Sequence, residues 1–71
     1  MKITEETNLH YDYFNGTEIN LNNKTCFYYE EPNSMDKYQL IEEKTGRIIV
    51  YSETKEELLN YLISKNASVV Y

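Results

Sequence analysis

The 71-residue chain predicts an α+β fold, in which a small antiparallel sheet of four to five strands carries one C-terminal amphipathic helix and a short final strand. Up to Tyr51, short runs of β-branched and aromatic residues alternate with turn residues, as is typical of strands. After Tyr51 the apolar residues recur with a helical period, and Ser68 to Tyr71 is again β-prone. The predicted element order is β-β-β-β-β-α-β, in a single domain spanning residues 1–71.

Residues 1–8 are polar apart from Ile3, so we expect either a frayed arm or a short edge strand. The segments 9–13 and 17–21 then alternate, which predicts a hairpin. A three-residue loop, Phe14–Gly16 with a G1 bulge, is preferred over a two-residue Asn-Gly loop, because only the longer loop places all the apolar positions on one face. That face would carry Leu9, Tyr11, Tyr13, Thr17, Ile19 and Leu21.

The next strand is predicted over Thr25 to Glu31, after a turn at Asn22-Asn23, and it has aromatic residues on both faces. A second hairpin joins residues 38–41 to 48–51 through Lys44-Thr45-Gly46, with the glycine in the left-handed position. Both of its faces carry apolar residues, so the hairpin is either central in the sheet or presents one face to a partner. The loop sets the pairs Glu43–Arg47, Glu42–Ile48, Ile41–Ile49 and Leu40–Val50.

The helix is predicted to begin after Thr54, because Thr54 and Glu57 form a capping box. Its apolar residues cover a broad arc, about 200° at 100° per residue. A helix buried in the core is favoured over one that binds a partner's groove. Lys65 and Asn66 mark the end of the helix. The arc consists of Leu58, Leu59, Tyr61, Leu62 and Ile63.

Length and composition limit how the chain can be stabilised and what it can bind. A chain this short is marginally stable alone, and Cys26 has no second cysteine for a disulfide, so we expect a homodimer. With one histidine and one cysteine, neither a metal nor a cofactor is expected. The net charge of −5 argues against direct binding of nucleic acid or anionic membrane, and it permits binding to a basic protein surface.

The N-terminus lacks the apolar core of a signal peptide, and no run reaches the length of a transmembrane helix. We therefore expect a cytoplasmic protein, located in the cytoplasm of a host cell if a phage encodes it.

Catalytic signatures are weak. His10 and Asp12 lie two apart on one predicted strand, which would suit a general-base dyad or half a metal site, but a solvent-exposed histidine is the favoured interpretation. Cys26 lies among aromatic residues and is expected to be a buried, inert thiol. Nucleophile, phosphate-loop and metal motifs are missing from the sequence, so we expect that the protein is not an enzyme.

Tyrosines and acidic clusters are the features that suggest a function. Eight tyrosines provide either interface contacts or half-buried strand positions. If the hairpin ends and the helix start lie together, the acids form one rim that mimics nucleic-acid phosphates; otherwise they are scattered surface charge. The predicted partner-binding residues are Tyr28, Tyr29, Glu30, Glu31, Asp36, Tyr38, Glu42, Glu43, Glu53, Glu56 and Glu57.

The sequence thus predicts a non-enzymatic acidic module that binds another protein. In size, acidity and tyrosine content it resembles the small inhibitors that phages and mobile elements encode, which would imply a basic surface of a nucleic-acid-handling or defence enzyme as its target. One alternative is a self-assembly module that acts as a homo-oligomer through the helix arc or the last strand. A further alternative is a small-molecule-binding regulator with a pocket between subunits.

Overall fold

The computed structural model describes residues 1–11 and 16–70. Five antiparallel strands form one sheet in the order β4-β3-β2-β1-β5, and one helix packs on it. The predicted α+β architecture is therefore confirmed. The elements are β1 (Glu18–Leu21), β2 (Lys24–Glu30), β3 (Tyr38–Glu42), β4 (Ile48–Ser52), α1 (Lys55–Ser64) and β5 (Ser68–Val69).

The first predicted hairpin is wrong in its register. It would have set Tyr13 opposite Thr17, whereas the structure pairs Tyr11 with Gly16 in an isolated bridge. Next to this bridge, the Thr17 N–H donates to the His10 carbonyl at 2.8 Å. Residues 12–15 lie outside the described residues, and so does most of the predicted Phe14–Gly16 loop.

β1 pairs instead with β5, with Ile19 opposite Val69. The C-terminal strand therefore takes the place that the sequence assigned to residues 9–13. The alternation of apolar residues predicts which face of β1 is buried. It does not predict which segment pairs with β1, and a strand distant in the sequence can pair with it as well as the preceding segment.

Residues 1–3 close the outer side of β5, which agrees with the edge-strand alternative. The Val69 N–H donates to the Met1 carbonyl at 2.7 Å, and the Ile3 N–H donates to the Ala67 carbonyl at 3.1 Å. Ile3 is buried beneath this contact. This edge of the sheet therefore has its backbone groups partly paired.

The β1–β2 turn is the predicted one. Asn22 and Asn23 both have positive φ, 52° and 66°, and they join Leu21 to Lys24 in a two-residue connection. Positive φ at both central residues is the requirement of a type I′ turn, and asparagine is among the residues that accept it.

The β3–β4 hairpin keeps the predicted Leu40–Val50 pair but not the predicted loop. Gly46 has φ 73°, as expected, yet the Glu42 N–H donates to the Arg47 carbonyl, so four residues form the turn. A bulge then shifts the register, and Ile41 faces Ile48 rather than Ile49. β4 is the outermost strand, so the prediction of a central hairpin is wrong, while the alternative of a partner-facing surface remains.

Helix α1 begins and ends as predicted. The Thr54 Oγ1 accepts from the Glu57 N–H at 3.2 Å, and the Thr54 hydroxyl also lies 3.2 Å from the Glu57 carboxylate. At the C-terminal end, Asn66 adopts φ 56°, and the Ala67 N–H donates to the Leu62 carbonyl at 3.0 Å, which is the Schellman arrangement.

The core lies between α1 and one face of the sheet. Leu58 and Leu62 have no exposed surface, while the remaining apolar residues of the predicted arc are half-buried. The sheet contributes buried side chains from β1, β2 and β3, namely Ile19, Leu21, Cys26, Tyr28 and Leu40.

Candidate functional site

The helix covers one face of the sheet and leaves the other face uncovered by a second layer of described residues. In β2, Cys26 and Tyr28 point to the core, so Phe27 and Tyr29 point to the opposite side. The register continues this opposite face across β3 and β4. We call it the open face; it consists of Phe27, Tyr29, Gln39, Ile41, Ile48 and Tyr51.

Exposure on the open face is lowest at Gln39 of β3, which is 8% exposed, and highest on β4. Phe27, Tyr29 and Ile41 are half-buried, whereas Ile48 is 50% exposed and Tyr51 is 60% exposed. Large apolar side chains with this exposure, next to one another on one surface, are typical of an interaction site rather than of isolated surface residues.

Tyr29 is held in place on the open face by two contacts. The Tyr11 ring meets it edge-on, with centroids 4.8 Å apart and planes at 74°. The Tyr29 hydroxyl donates to Glu31 Oε2 at 3.0 Å, and this hydrogen bond raises the pKa of Tyr29. The ring is therefore preorganised as a rigid contact surface with a carboxylate at its tip.

The acidic residues are concentrated at one end of the sheet. β2 and β4 end here, and β3 and the helix begin here. The loops that join these elements therefore bring their charged residues together. Six acids and two lysines, Lys37 and Lys55, give this end a formal charge of −4 out of the chain's −5. We call it the acidic end; its acids are Glu30, Glu31, Asp36, Glu53, Glu56 and Glu57.

Glu42 and Glu43 lie at the opposite end. Glu42 lies four residues after Tyr38 in β3, about 13 Å along the strand. Three basic residues lie at this turn end, Lys24, Lys44 and Arg47, so its formal charge is +1. The predicted acidic residues therefore do not form one continuous rim. Some lie at the acidic end, whereas Glu42 and Glu43 lie at the turn end, which we call the mixed end.

Tyr28 is also misplaced in the predicted set, because its side chain is fully buried and offers no surface to a partner. Its hydroxyl donates to Glu30 Oε2 at 2.5 Å. Burial, and then the bond to Glu30, raise the pKa of Tyr28 well above its ordinary value. Tyr28 therefore belongs to the buried structure that supports the acidic end.

Lys55 ties the start of the helix to this framework. Its Nζ donates to the Leu9 carbonyl at 3.0 Å, lies 3.8 Å from Glu30 Oε2, and lies 5.5 Å from the centroid of the Tyr28 ring. The charge of Glu30 is therefore partly compensated by Lys55, whereas Glu53, Glu56 and Glu57 are exposed to solvent.

Tyr38 lies on the helix side of the sheet, where it packs against the core beneath Lys37, whose Nζ is 5.6 Å from its ring centroid. Of the predicted tyrosines, only Tyr29 therefore lies on the open face. The other residues of the open face were not predicted site residues, namely Phe27, Gln39, Ile41, Ile48 and Tyr51. The available signal was the apolar character of both faces of this hairpin.

Two of the three residues with catalytic potential in the sequence, His10 and Cys26, lie in the described part of the chain. His10 is exposed, and Asp12 lies outside the described residues. Cys26 is fully buried, which raises the pKa of its thiol and so disfavours the thiolate form. Within residues 1–11 and 16–70, no three histidine, cysteine or acidic side chains converge as metal ligands. Over the same residues, no helix has the length and apolarity needed to cross a bilayer.

Comparison with known proteins finds no matching family model, no matching curated protein and no matching solved structure. The function is therefore inferred from the protein's own surfaces.

Proposed function

We propose that this protein is a non-enzymatic binding module that docks its open face and acidic end against a basic surface of another protein. The observation that carries the proposal is the continuity of these two surfaces. The Tyr29 ring belongs to the open face, and its hydroxyl bonds Glu31 of the acidic end. An apolar, aromatic contact area is thereby joined to a concentrated negative charge.

The two surfaces would contribute differently to binding. Burial of Tyr51 and Ile48 supplies affinity, at about 25 cal/mol per Å² of apolar surface removed from water. Aromatic residues at the centre of such an interface commonly dominate its energy. The acids at the edge steer a basic partner into place and discriminate against acidic partners, and this effect weakens as salt increases.

The partner class that best complements this charge is a protein whose lysines and arginines form a phosphate-binding cleft. The acidic end presents carboxylates from β2, the β2–β3 loop and the start of α1, a grouping that resembles a cluster of phosphates in charge. Occupation of such a cleft would exclude nucleic acid, so the protein would act as an inhibitor of a nucleic-acid-handling or defence enzyme.

The test is affinity capture from a nuclease-treated lysate of the host cell, with tagged protein as bait and mass spectrometry as readout. One bait variant, I48T/Y51T, removes the two exposed apolar contacts of the open face but keeps strand-forming residues. A second, E31K/E56K, reverses charge at the acidic end. The matched control, E42K/E43K, makes the same charge change at the mixed end, and all baits are first shown to be folded by circular dichroism.

The proposal expects stoichiometric recovery of one basic protein, lost with both test variants and retained with the control. Equal recovery by all four baits would mean that neither surface binds. Recovery of the bait alone would also overturn the proposal and would favour self-assembly.

A further inference from the structure

Strand β2 carries two tyrosine–glutamate pairs of the same construction, one on each face of the sheet. On the core side, the Tyr28 hydroxyl donates to Glu30 Oε2, and on the open face the Tyr29 hydroxyl donates to Glu31 Oε2 at 3.0 Å. In each pair the glutamate follows the tyrosine by two residues, so both side chains lie on the same face of the strand. Each pair therefore fixes a carboxylate at the tip of an aromatic ring.

The core-side pair already holds a cation. Lys55 Nζ lies 5.5 Å from the centroid of the Tyr28 ring and 3.8 Å from Glu30 Oε2, so one ammonium interacts with both the ring and the carboxylate. The face of an aromatic ring attracts a cation, and a carboxylate beside it adds a second attraction. This contact shows, within the same molecule, which kind of group such a pair binds.

The open-face pair lacks such a cation. Within residues 1–11 and 16–70, no lysine or arginine lies within salt-bridge distance of Glu31 or over the Tyr29 ring. Lys37, whose carbonyl accepts from the Glu31 N–H, has its Nζ 5.6 Å from the centroid of the Tyr38 ring instead. The open face thus has the ring and the carboxylate of the Lys55 contact but not its positive charge.

We propose that the Tyr29–Glu31 pair binds an arginine side chain of the partner, with the guanidinium against the Tyr29 ring and hydrogen-bonded to Glu31. The inference rests on the proposed function and names the group that this part of the surface recognises. Arginine is favoured over lysine because its planar, weakly hydrated guanidinium stacks on a ring and donates to a carboxylate at the same time, whereas an ammonium is a compact, strongly hydrated point charge.

The neighbours of Tyr29 determine the side from which the arginine approaches. Tyr11 meets the ring edge-on and pairs with Gly16, which continues the line of β1. On the other side, Gln39 of β3 separates Tyr29 from Tyr51 by about 10 Å between Cα atoms. The arginine therefore reaches Tyr29 from the β3 side, and the partner residues next to it contact Tyr51, the most exposed residue of the open face.

Titration of the purified protein with hexa-arginine and with hexalysine tests this proposal, at low salt and with backbone amide NMR shifts as the readout. The two peptides carry the same charge, so charge attraction to the acidic end alone would bind them equally. We expect the natural chain to bind hexa-arginine about fivefold more tightly, equivalent to about 1 kcal/mol, with the largest shifts near Tyr29 and Glu31.

Two variants and one control locate the preference. Glu31→Gln removes the charge of the carboxylate, and Tyr29→Val removes the ring but keeps a strand-forming residue, so each should abolish most of the preference for hexa-arginine. Glu43→Gln removes the same charge at the mixed end, where Glu43 is exposed, and should keep the full preference. All three variants are first shown to be folded by circular dichroism.

Equal affinity of the natural chain for the two peptides would overturn the inference, and so would a preference that persists in either folded test variant. A preference that Glu43→Gln also abolishes would do the same, because it would then reflect total charge alone. None of these results removes the proposed function, since a partner can bind both surfaces without an arginine at Tyr29. Recovery of the bait alone in the capture experiment, in contrast, overturns the proposed function whatever the peptides show.

Discussion

Lys55 Nζ, on the first residue of the helix, donates a 3.0 Å hydrogen bond to the backbone carbonyl of Leu9, 46 positions earlier in the chain. The same ammonium lies 3.8 Å from Glu30 on β2. One side chain thus joins the helix, the sheet and the irregular N-terminal segment, and it supports the end of the molecule that carries most of its negative charge.

Replacement of this lysine should therefore destabilise the fold. Lys55→Met keeps the aliphatic stem but removes the donor, and we expect a loss of about 1–2 kcal/mol in the free energy of unfolding, measured with urea. Lys65→Met is the matched control, because Lys65 is exposed and its Nζ lies 5.7 Å over the Tyr61 ring. A loss no greater than that of the control would show that the Lys55 contacts contribute nothing.

Stability should decrease in alkaline solution. The pKa of Tyr28 is raised in the folded state, from an ordinary value of 10.0, chiefly by burial. Below pH 10 the hydroxyl is protonated in both states, and its contribution is fully present. As the pH rises above 10, only the unfolded chain releases the proton, so the free energy of unfolding falls.

Urea titrations between pH 8 and about pH 11 measure this dependence. Tyr28→Phe should reduce the alkaline slope while it retains the core packing of the ring. The buried Cys26 thiol, whose pKa is also raised, contributes in the same direction from an ordinary value of 9.0, so the comparison is made in a Cys26→Ala background. If Tyr28→Phe leaves the alkaline slope of the free energy of unfolding unchanged, Tyr28 is not the group that causes it.

Adjacent leucines in the helix should differ in their contribution to stability. Leu58 is fully buried against the sheet, whereas Leu59 is half-buried. We expect Leu58→Ala to cost about 3 kcal/mol, because it leaves a cavity in the core, and Leu59→Ala to cost about 1 kcal/mol. Thermal and urea unfolding compare the two variants. Similar losses would mean that the broad apolar arc is buried evenly.

Substitutions in the two turns that contain residues with positive φ should differ in their effect on the free energy of unfolding. Gly46 has φ 73° and open space around its Cα, so Gly46→Ala should cost about 1 kcal/mol through backbone strain alone. Asn23→Gly, in the type I′ turn, should be neutral or stabilise by a few tenths of a kcal/mol. Chemical denaturation distinguishes these signs, and a neutral Gly46→Ala would show that the turn adapts to the new side chain.

Much of the candidate site was beyond prediction because it depends on the arrangement of the strands. The acids near Glu30 and near Glu42 look alike in the sequence, but β3 holds them at opposite ends of the sheet. The exposure of Tyr51 depends on a bulge and on β4 being the outermost strand. Tyr28 and Tyr29 are adjacent tyrosines, and only the position of the helix makes one of them core and the other surface.

Several features of this protein could be predicted because local chemistry controls them. These are the capped helix from Lys55 to Ser64, the Asn22-Asn23 turn, the left-handed Gly46 and the α+β class, because caps, turns and periodicity act over a few residues. Long-range contacts, by contrast, determine that β5 pairs with β1, that residues 1–3 close that edge, and that no second layer of described residues covers one face of the sheet. These contacts join residues far apart in the chain, and each was selected by how well the whole core packs around it rather than by any short pattern.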